Sequence, residues 1–259
     1  MGEPGKRVVS QALADLKRKY KVSTVIAQAE NTTEGRGISV QDYEYLKSIG
    51  IDFFTGGNWS LHRKEIHPFL NNPKEPIIRP ANYTKGTPGL GYKYLTTPKG
   101  EILIISLLGQ IVGRDADKST DNPLKVIDKI LSETDSAPHL LAKIVNFHGD
   151  YSSEKKVIGY YLDGRVSAVI GDHWHVPTAD AMILPKGTAH ISDVGMCGSL
   201  DSSLGVSIDS VLPRWRDGVQ TRNQLETTGR LQLNAVLITI DEVTAKATRV
   251  LHIQQITDQ

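Results

Sequence analysis

Cysteine is almost absent from this sequence, and other features that mark specialised classes of protein are missing too. Among 259 residues only Cys197 is a cysteine, so no internal disulfide can form, which fits a reducing cytoplasm. The longest apolar run, 102–112, is interrupted by Ser106, Gly109 and Gln110 and is too short to span a bilayer. The first residues contain no hydrophobic segment of a secretory signal. We therefore expect a cytoplasmic protein without a membrane partner.

An excess of charge of either sign is also missing. The 30 Lys and Arg residues nearly balance the 29 Asp and Glu residues, and no block of like charge occurs. Proteins that bind nucleic-acid polymers normally carry a basic stripe, so no such partner is expected. A small molecule is the expected ligand, and assembly into a homo-oligomer is compatible with this composition.

What the sequence does contain is an alternation of helical and strand patterns without linkers or repeats. A chain of this length buries an ample core as one domain, so we expect a single α/β domain over 1–259, with a mixed sheet or two packed sheets. Apolar spacing predicts helices over about 5–20, 39–50, 62–70, 122–134 and 152–164. Strands are predicted over about 22–29, 51–57, 77–80, 92–97, 101–109, 140–147, 166–171, 181–184, 188–193, 230–241 and 246–256.

Two histidines one residue apart, His173 and His175, follow the predicted strand at 166–171. On an extended backbone, residues i and i+2 point to the same face, so both imidazoles are expected to aim at one point beyond the strand end. A histidine pair of this kind is either a ligand pair or simply a polar strand end.

Three other predicted strands end in side chains of the same chemical kind. These side chains are Glu30 and Asn31 after 22–29, Asn58 after 51–57 and His148 after 140–147. In open α/β sheets, sites are built at the carboxyl ends of the strands. Taken singly, a buried histidine or an acidic turn has a structural explanation. Their shared placement favours a metal centre.

The residue types suit a two-metal hydrolase. Such a site needs a bridging carboxylate, for which Glu30 is suited, together with imidazoles and a neutral amide oxygen, for which Asn58 is suited. Imidazole and carboxylate ligands together favour manganese, iron, zinc or cobalt over calcium. The histidines without this placement are expected to be structural or at the surface, and they are His67, His139, His190 and His252.

Short motifs along nearly the whole chain carry a resemblance to a known family. These motifs are Gly2-Glu3-Pro4-Gly5-Lys6, Ala29-Glu30-Asn31, Gly57-Asn58, Arg79-Pro80-Ala81-Asn82, Gly86-Thr87-Pro88-Gly89, Phe147-His148, Ser153-Glu154-Lys155, Asp163-Gly164-Arg165-Val166-Ser167-Ala168, His173-Trp174-His175-Val176, Thr178-Ala179-Asp180, Leu184-Pro185-Lys186-Gly187-Thr188-Ala189 and Asp193-Val194-Gly195-Met196. Together they resemble the bacterial calcineurin-like metallophosphoesterases that act as 2′,3′-cyclic-nucleotide 2′-phosphodiesterases.

The resemblance implies a four-layer α/β/β/α sandwich with a di-iron or di-manganese centre. It implies that Glu30 bridges the two metal ions. It assigns Asn31 and His175 to the first ion, and Asn58, His148 and His173 to the second. The implied reaction is hydrolysis of a phosphodiester, a 2′,3′-cyclic nucleotide, to a 3′-nucleotide by water that the two ions activate. Asp180 is either a partner of these ligands or a turn residue. The alternatives are a phosphomonoesterase on the same scaffold and a catalytically weak regulatory or nucleotide-binding homologue.

The chain departs from the family pattern at its first residues. The family begins with a hydrophobic strand that ends in Gly-Asp, where the aspartate is a ligand of the first metal, and the motif that follows it starts here at Gly2. We therefore expect the N-terminal strand to be missing from this sequence and the natural protein to begin upstream of Met1. The second metal is then expected to be held better than the first.

A second departure concerns the proton donor of the family. A histidine usually follows the metal-binding asparagine, whereas Trp59 follows Asn58 here. The indole N–H is a hydrogen-bond donor but not an acid at neutral pH. His62 is the candidate substitute as the catalytic residue, although it equally fits the exposed first turn of a helix.

Overall fold

The computed structural model describes residues 1–113, 119–134 and 140–258. The helices are α1 (Gly2–Tyr20), α2 (Val40–Ser48), α3 (His67–Asn71), α4 (Pro123–Thr134), α5 (Ser152–Tyr161) and α6 (Ile208–Asp217). The strands are β1 (Ile26–Gln28), β2 (Phe53–Thr55), β3 (Tyr92–Thr97), β4 (Gly100–Leu108), β5 (Leu140–His148), β6 (Ala168–Asp172), β7 (Met182–Ile183), β8 (Ala189–Ile191), β9 (Gly198–Ser199), β10 (Leu231–Ile240) and β11 (Ala247–Thr257). Among the described residues, no helix combines the length and apolar character that a membrane span requires.

The strands form three sheets, two of which supply the candidate site. β1 and β2 pair in parallel, and β5, β6 and β8 run parallel within a six-stranded sheet of order β3-β4-β5-β6-β8-β7. The third sheet has the order β11-β10-β9. Because parallel strands end at the same edge, the residues that follow β1 and β2 lie together, as do those that follow β5 and β6.

Alternating side chains on β2 define the inner layers of the molecule. Phe54 packs into a cluster with Tyr43 of α2, and their ring centroids lie 5.0 Å apart. Its neighbour Phe53 points to the opposite face and packs with Ile104 of β4. The small sheet therefore carries helices on one face and the six-stranded sheet on the other.

The same alternation on β4 defines the outer layer. Leu103 and Ile105 flank Ile104 and pack with Ile127 of α4 and Ile158 of α5 on the far face of the large sheet. The order of layers is thus helix, sheet, sheet, helix. This confirms the predicted four-layer α/β/β/α arrangement.

The structure differs from the predicted elements where local patterns are weak. The predicted helix at 62–70 is a 3-10 turn, Lys64–Ile66, followed by the short α3, and the strand at 77–80 is a single bridge between Ile77 and Phe54. Helix α6 was not predicted, although Ile208, Val211, Leu212 and Trp215 have helical spacing; Pro213 lies inside it and only Val211 is buried. Of the remaining histidines, His190 is buried in β8 and His139 lies outside the described residues.

Candidate metal centre

Three of the predicted ligands meet where the two sheets converge. Glu30 lies just beyond β1, His148 is the last residue of β5, and His173 directly follows β6. One ligand atom from each lies within 4.8 Å of the others. The side chains of Glu30 and His148 are each only 1 % exposed, whereas that of His173 is 22 % exposed, so the group lies at the edge of the buried interior. This arrangement matches the expected placement of these residues at strand ends.

Hydrogen bonds orient the His148 ring toward the centre of this group. Its Nε2 atom lies 2.7 Å from Oδ1 of Asn58 and 3.2 Å from Oε1 of Glu30. Its Nδ1 atom bonds the carboxylate of Asp172. A carboxylate on one ring nitrogen fixes the tautomer and leaves the other nitrogen to bind a metal. Asn58 therefore joins the group.

Asp172 belongs to the candidate site and was not predicted from the sequence. It is the last residue of β6, and in the parallel register of β5 and β6 it lies directly opposite His148. The signal was an acidic residue at the end of one strand and a histidine at the end of its neighbour. It becomes visible only once the pairing of the strands is known.

The charges in the group act differently on the histidines. Burial would lower the pKa of His148, but the carboxylates of Glu30 and Asp172 outweigh it and raise that pKa to about 10. Burial and the charge of His148 lower the pKa of His173 below its usual value. In the metal-free protein at neutral pH, His148 is therefore charged and His173 is neutral.

Gly57 provides the space in which this group forms. A Cβ atom at position 57 would lie 2.4 Å from the His148 ring and 2.6 Å from Oε2 of Glu30. Both neighbours are buried and held by hydrogen bonds, so neither can move aside cheaply. Any side chain at position 57 would collide with two of the proposed ligand side chains.

The His-Trp-His segment is not the extended strand end that was predicted. His173 has a φ of 116° and His175 a φ of 65°, so the expectation that their side chains share a face of an extended backbone is wrong. Residues other than glycine adopt such angles only where their surroundings enforce them. His173 joins the ligand group, and its Nε2 atom also lies 3.1 Å from Asp150.

Buried contacts hold this unusual segment in place. The backbone N–H of Trp174 donates to Asp193 at 2.7 Å, and its indole N–H donates to the Asp150 carbonyl at 3.0 Å. Nζ of Lys155, itself buried, lies 3.3 Å from Asp193 and 4.5 Å from the centre of the Trp174 ring. These contacts fix the direction of His173 before any ligand binds.

His175 and Asn31 lie close to the group but are not part of the cluster around His148. Nδ1 of His175 lies 3.0 Å from the carbonyl of Leu204, which leaves its Nε2 atom available as a metal ligand. Burial lowers the pKa of His175 to about 4, so it is neutral. The amide nitrogen of Asn31 donates to the Gly35 carbonyl at 2.9 Å, which leaves the amide oxygen as the possible metal ligand.

Asp180 organises a loop beside the centre. Its carboxylate accepts hydrogen bonds from Thr178 at 2.6 Å and from the backbone of Ser192 at 3.0 Å, and it pairs with Lys156 at 2.6 Å. Of the two predicted roles, these contacts favour the turn residue.

Trp59 and His62 lie at the outer edge of the group. The backbone N–H of Trp59 donates to Oε2 of Glu30 at 3.0 Å. The exposed His62 ring packs edge-on against the indole, with centroids 5.2 Å apart and an interplanar angle of 86°. The predicted catalytic residue His62 therefore contacts Trp59, and Trp59 in turn contacts the ligand group.

The donor set fits a divalent transition metal. Imidazole nitrogens and carboxylate and amide oxygens are typical ligands of iron, manganese and zinc. The ring of His148 is oriented by a carboxylate, as metal-binding histidines usually are, and Gly57 leaves the space between the ligand atoms open.

Comparison with known proteins places the chain among phosphoesterases. Residues 1–253 match a family described as YmdB-like protein. The chain is 37% identical over 251 residues to the 2′,3′-cyclic-nucleotide 2′-phosphodiesterase of Bacillus subtilis, covering 96% of this chain and 92% of that protein.

Solved structures agree with this match. A phosphatase from Mycoplasma pneumoniae superposes with a TM-score of 0.91 at 32% identity, covering 100% of this chain and 91% of the other. A hypothetical protein from Thermus thermophilus superposes with a TM-score of 0.88 at 32% identity, covering 99% of this chain and 96% of the other. A 5′-nucleotidase from Staphylococcus aureus, at 15% identity and a TM-score of 0.59, shares the fold alone.

Proposed function

Because this chain belongs to the YmdB-like protein family, we propose that it is a metal-dependent phosphodiesterase that converts 2′,3′-cyclic nucleotides to 3′-nucleotides. The observation that carries the proposal is the convergence of Glu30, His148 and His173 within 4.8 Å, with Asn58 against His148. Ligand atoms of this kind, collected at the ends of parallel strands, suit metal-assisted hydrolysis better than structural packing.

We propose that the ligands divide between two ions, iron or manganese. Glu30 would be shared between them, Asn58, His148 and His173 would hold one ion, and Asn31 with His175 would hold the other. Two bound ions would lower the pKa of water and neutralise charge on the phosphate.

The surrounding residues orient these ligands and supply a proton. Asp172 keeps Nε2 of His148 directed at Asn58, and the Trp59 amide holds one oxygen of Glu30. We assign proton donation to the leaving 2′ oxygen to His62, which is exposed beside Trp59.

The product of the reaction tests this proposal directly. Incubation of the protein with 2′,3′-cyclic AMP and manganese, followed by chromatographic separation of 2′-AMP from 3′-AMP, is expected to yield 3′-AMP. Accumulation of 2′-AMP, or hydrolysis of phosphomonoesters alone, would contradict the proposal and favour another phosphoesterase on the same scaffold.

Metal binding is expected to depend on pH through His148. A metal binds only the neutral imidazole, and in the metal-free protein this ring keeps its proton up to about pH 10. Affinity for manganese should therefore rise roughly tenfold per pH unit between about 6 and 9, with release of about one proton. Titration calorimetry in two buffers of different ionisation enthalpy measures that proton; an affinity independent of pH would be the contrary result.

A catalytically weak nucleotide-binding protein is the second candidate, and Trp59 is the observation that favours it. The backbone of Trp59 contacts Glu30, but its indole offers no acid. Tight binding of a cyclic nucleotide by the metal-loaded protein, without turnover, would identify this function.

Trp59→His is expected to increase kcat on 2′,3′-cyclic nucleotides by part of the gain that a general acid gives, because it adds an acid directly after Asn58 to the one that we assign to His62. A general acid contributes about 10²–10⁴-fold, and the ribose 2′ oxygen is a poor leaving group. Bis(4-nitrophenyl) phosphate has a good leaving group and should gain much less. Trp59→Phe, which supplies no acid, is the control. Equal changes in kcat on both substrates would show that position 59 does not govern proton transfer.

A further inference from the structure

A cation and an aromatic ring are stacked at the edge of the metal centre. The guanidinium carbon of Arg36 lies 4.9 Å from the centre of the Trp59 ring. We propose that Arg36 and Trp59 form a platform that binds the base of the nucleotide whose phosphate lies at the metal centre. The proposal rests on the function given above, and it names the part of the substrate that this edge of the site recognises.

The position of Trp59 relative to the centre is fixed. Its backbone N–H donates to Oε2 of Glu30 at 3.0 Å, and it follows Asn58, which contacts His148. The ring is therefore tied to a ligand through its own backbone. A substrate with its phosphate at Glu30 and His148 would extend past this side chain.

Arg36 is held beside Trp59 by a closed loop. The amide of Gly37 bonds the carbonyl of Glu30, and Gly35 and Gly37 have φ angles of 77° and 71° that favour glycine. A Cβ atom on Gly37 would lie 3.1 Å from Arg63 and 3.3 Å from His62, so the loop packs closely against these residues.

A hydrogen bond to its backbone fixes Arg36 further. Nε of Arg63 donates to the Arg36 carbonyl at 3.2 Å, and the Arg63 guanidinium also pairs with Glu34 at 2.9 Å. The loop that presents Arg36 is the one that carries Glu30 and Asn31. The position of the Arg36 backbone relative to the proposed ligands is therefore set by the fold.

The chemistry of this pair suits a nucleobase. Arg36 is exposed and lies over the half-buried Trp59 ring, so its side chain is accessible to a ligand. Bases stack on aromatic rings and on guanidinium planes, and the N–H groups of arginine can donate to acceptor atoms of the base. An isolated surface pair of this type would only add slightly to stability.

Substitution of Arg36 distinguishes stacking on the base from attraction of the phosphate by a positive charge. Arg36→Ala is expected to raise KM for 2′,3′-cyclic AMP about tenfold with little change in kcat, because stacking stabilises the bound substrate. Glycerol 1,2-cyclic phosphate has the same phosphate ring and no base, and its KM should not change. Arg36→Lys should not restore binding, since an ammonium group has no plane to stack.

Two further measurements serve as controls for a change in the structure of the loop that carries Arg36. Lys64→Ala removes an exposed cation nearby and should leave both KM values as in the wild type. The metal content of each variant reports whether the Glu30 loop is intact. Arg36→Gln, which removes the guanidinium and keeps a shorter polar side chain, replaces Arg36→Ala if that variant fails to fold, with the same expected rise in KM.

The outcomes that overturn the platform are distinct from failure of the proposed function. Recovery by Arg36→Lys, or an equal rise in KM for the base-free substrate, would show a contact with phosphate instead. Binding of 3′-AMP, measured by calorimetry, should weaken about tenfold in Arg36→Ala whether or not the protein turns over substrate. Equal binding by wild type and variant would reject the platform, whereas absence of turnover in the wild type rejects the function alone.

Discussion

Glu30→Gln is expected to reduce kcat/KM on 2′,3′-cyclic nucleotides by more than about 10²-fold and to lower the bound metal, since even residues that only support a ligand contribute about 10–100-fold. Glutamine keeps the shape of the side chain and can still accept the Trp59 N–H bond of 3.0 Å. Glutamine lacks the negative charge of the Glu30 carboxylate, which we propose binds both metal ions. Kinetics and elemental analysis of the purified variant measure both effects.

Glu34→Gln is the matched control for this prediction. Glu34 lies in the same loop, but its side chain is 84 % exposed and pairs with Arg63. It should retain activity and metal content within about twofold, as exposed ion pairs contribute little. Wild-type metal content in Glu30→Gln would show that Glu30 does not bind metal.

Gly57→Ala is expected to abolish metal binding although it adds one methyl group. The new Cβ atom would lie 2.4 Å from the His148 ring and 2.6 Å from Glu30. Separating these side chains breaks the ligand group, and overpacking of this kind typically lowers the free energy of unfolding by about 1–3 kcal/mol. The metal content of the variant tests the predicted loss of metal binding, and its thermal unfolding tests the predicted loss of stability.

Gly86→Ala distinguishes lost space at the centre from a general loss of stability. Gly86 has a φ of 91°, so alanine is strained there by about 1–2 kcal/mol, but nothing lies within 4 Å of its added Cβ atom. The two variants should thus lose similar stability, while only Gly57→Ala loses metal. Equal metal content in both would refute the role given to Gly57.

The placement of the ligands could be predicted from sequence because it depends on a simple property of parallel strands. Apolar runs followed by Glu30, Asn58 and His148 are local patterns, and parallel strands bring their carboxyl ends to one edge. The fold class followed from the family motifs and is confirmed by the layers around Phe53 and Phe54.

Other features required contacts between distant parts of the chain. Asp172 orients His148 only because β5 and β6 pair in one register, and Arg36 reaches Trp59 only because its loop closes on Glu30. The angles of His173 are imposed by buried partners that no local pattern reveals. The single domain, the cytoplasmic location, the catalytic role of His62 and the ligand roles of Glu30, Asn31, Asn58, His148, His173 and His175 stay predictions.

Removal and return of metal is the measurement that tests the central claim most directly. The protein is dialysed against a chelator, and hydrolysis of 2′,3′-cyclic AMP is followed before and after addition of manganese or iron(II). We predict no hydrolysis without metal, recovery of hydrolysis with either ion, and a metal content that falls and rises with activity. Undiminished hydrolysis by the metal-free protein would contradict the metal centre at Glu30, His148 and His173.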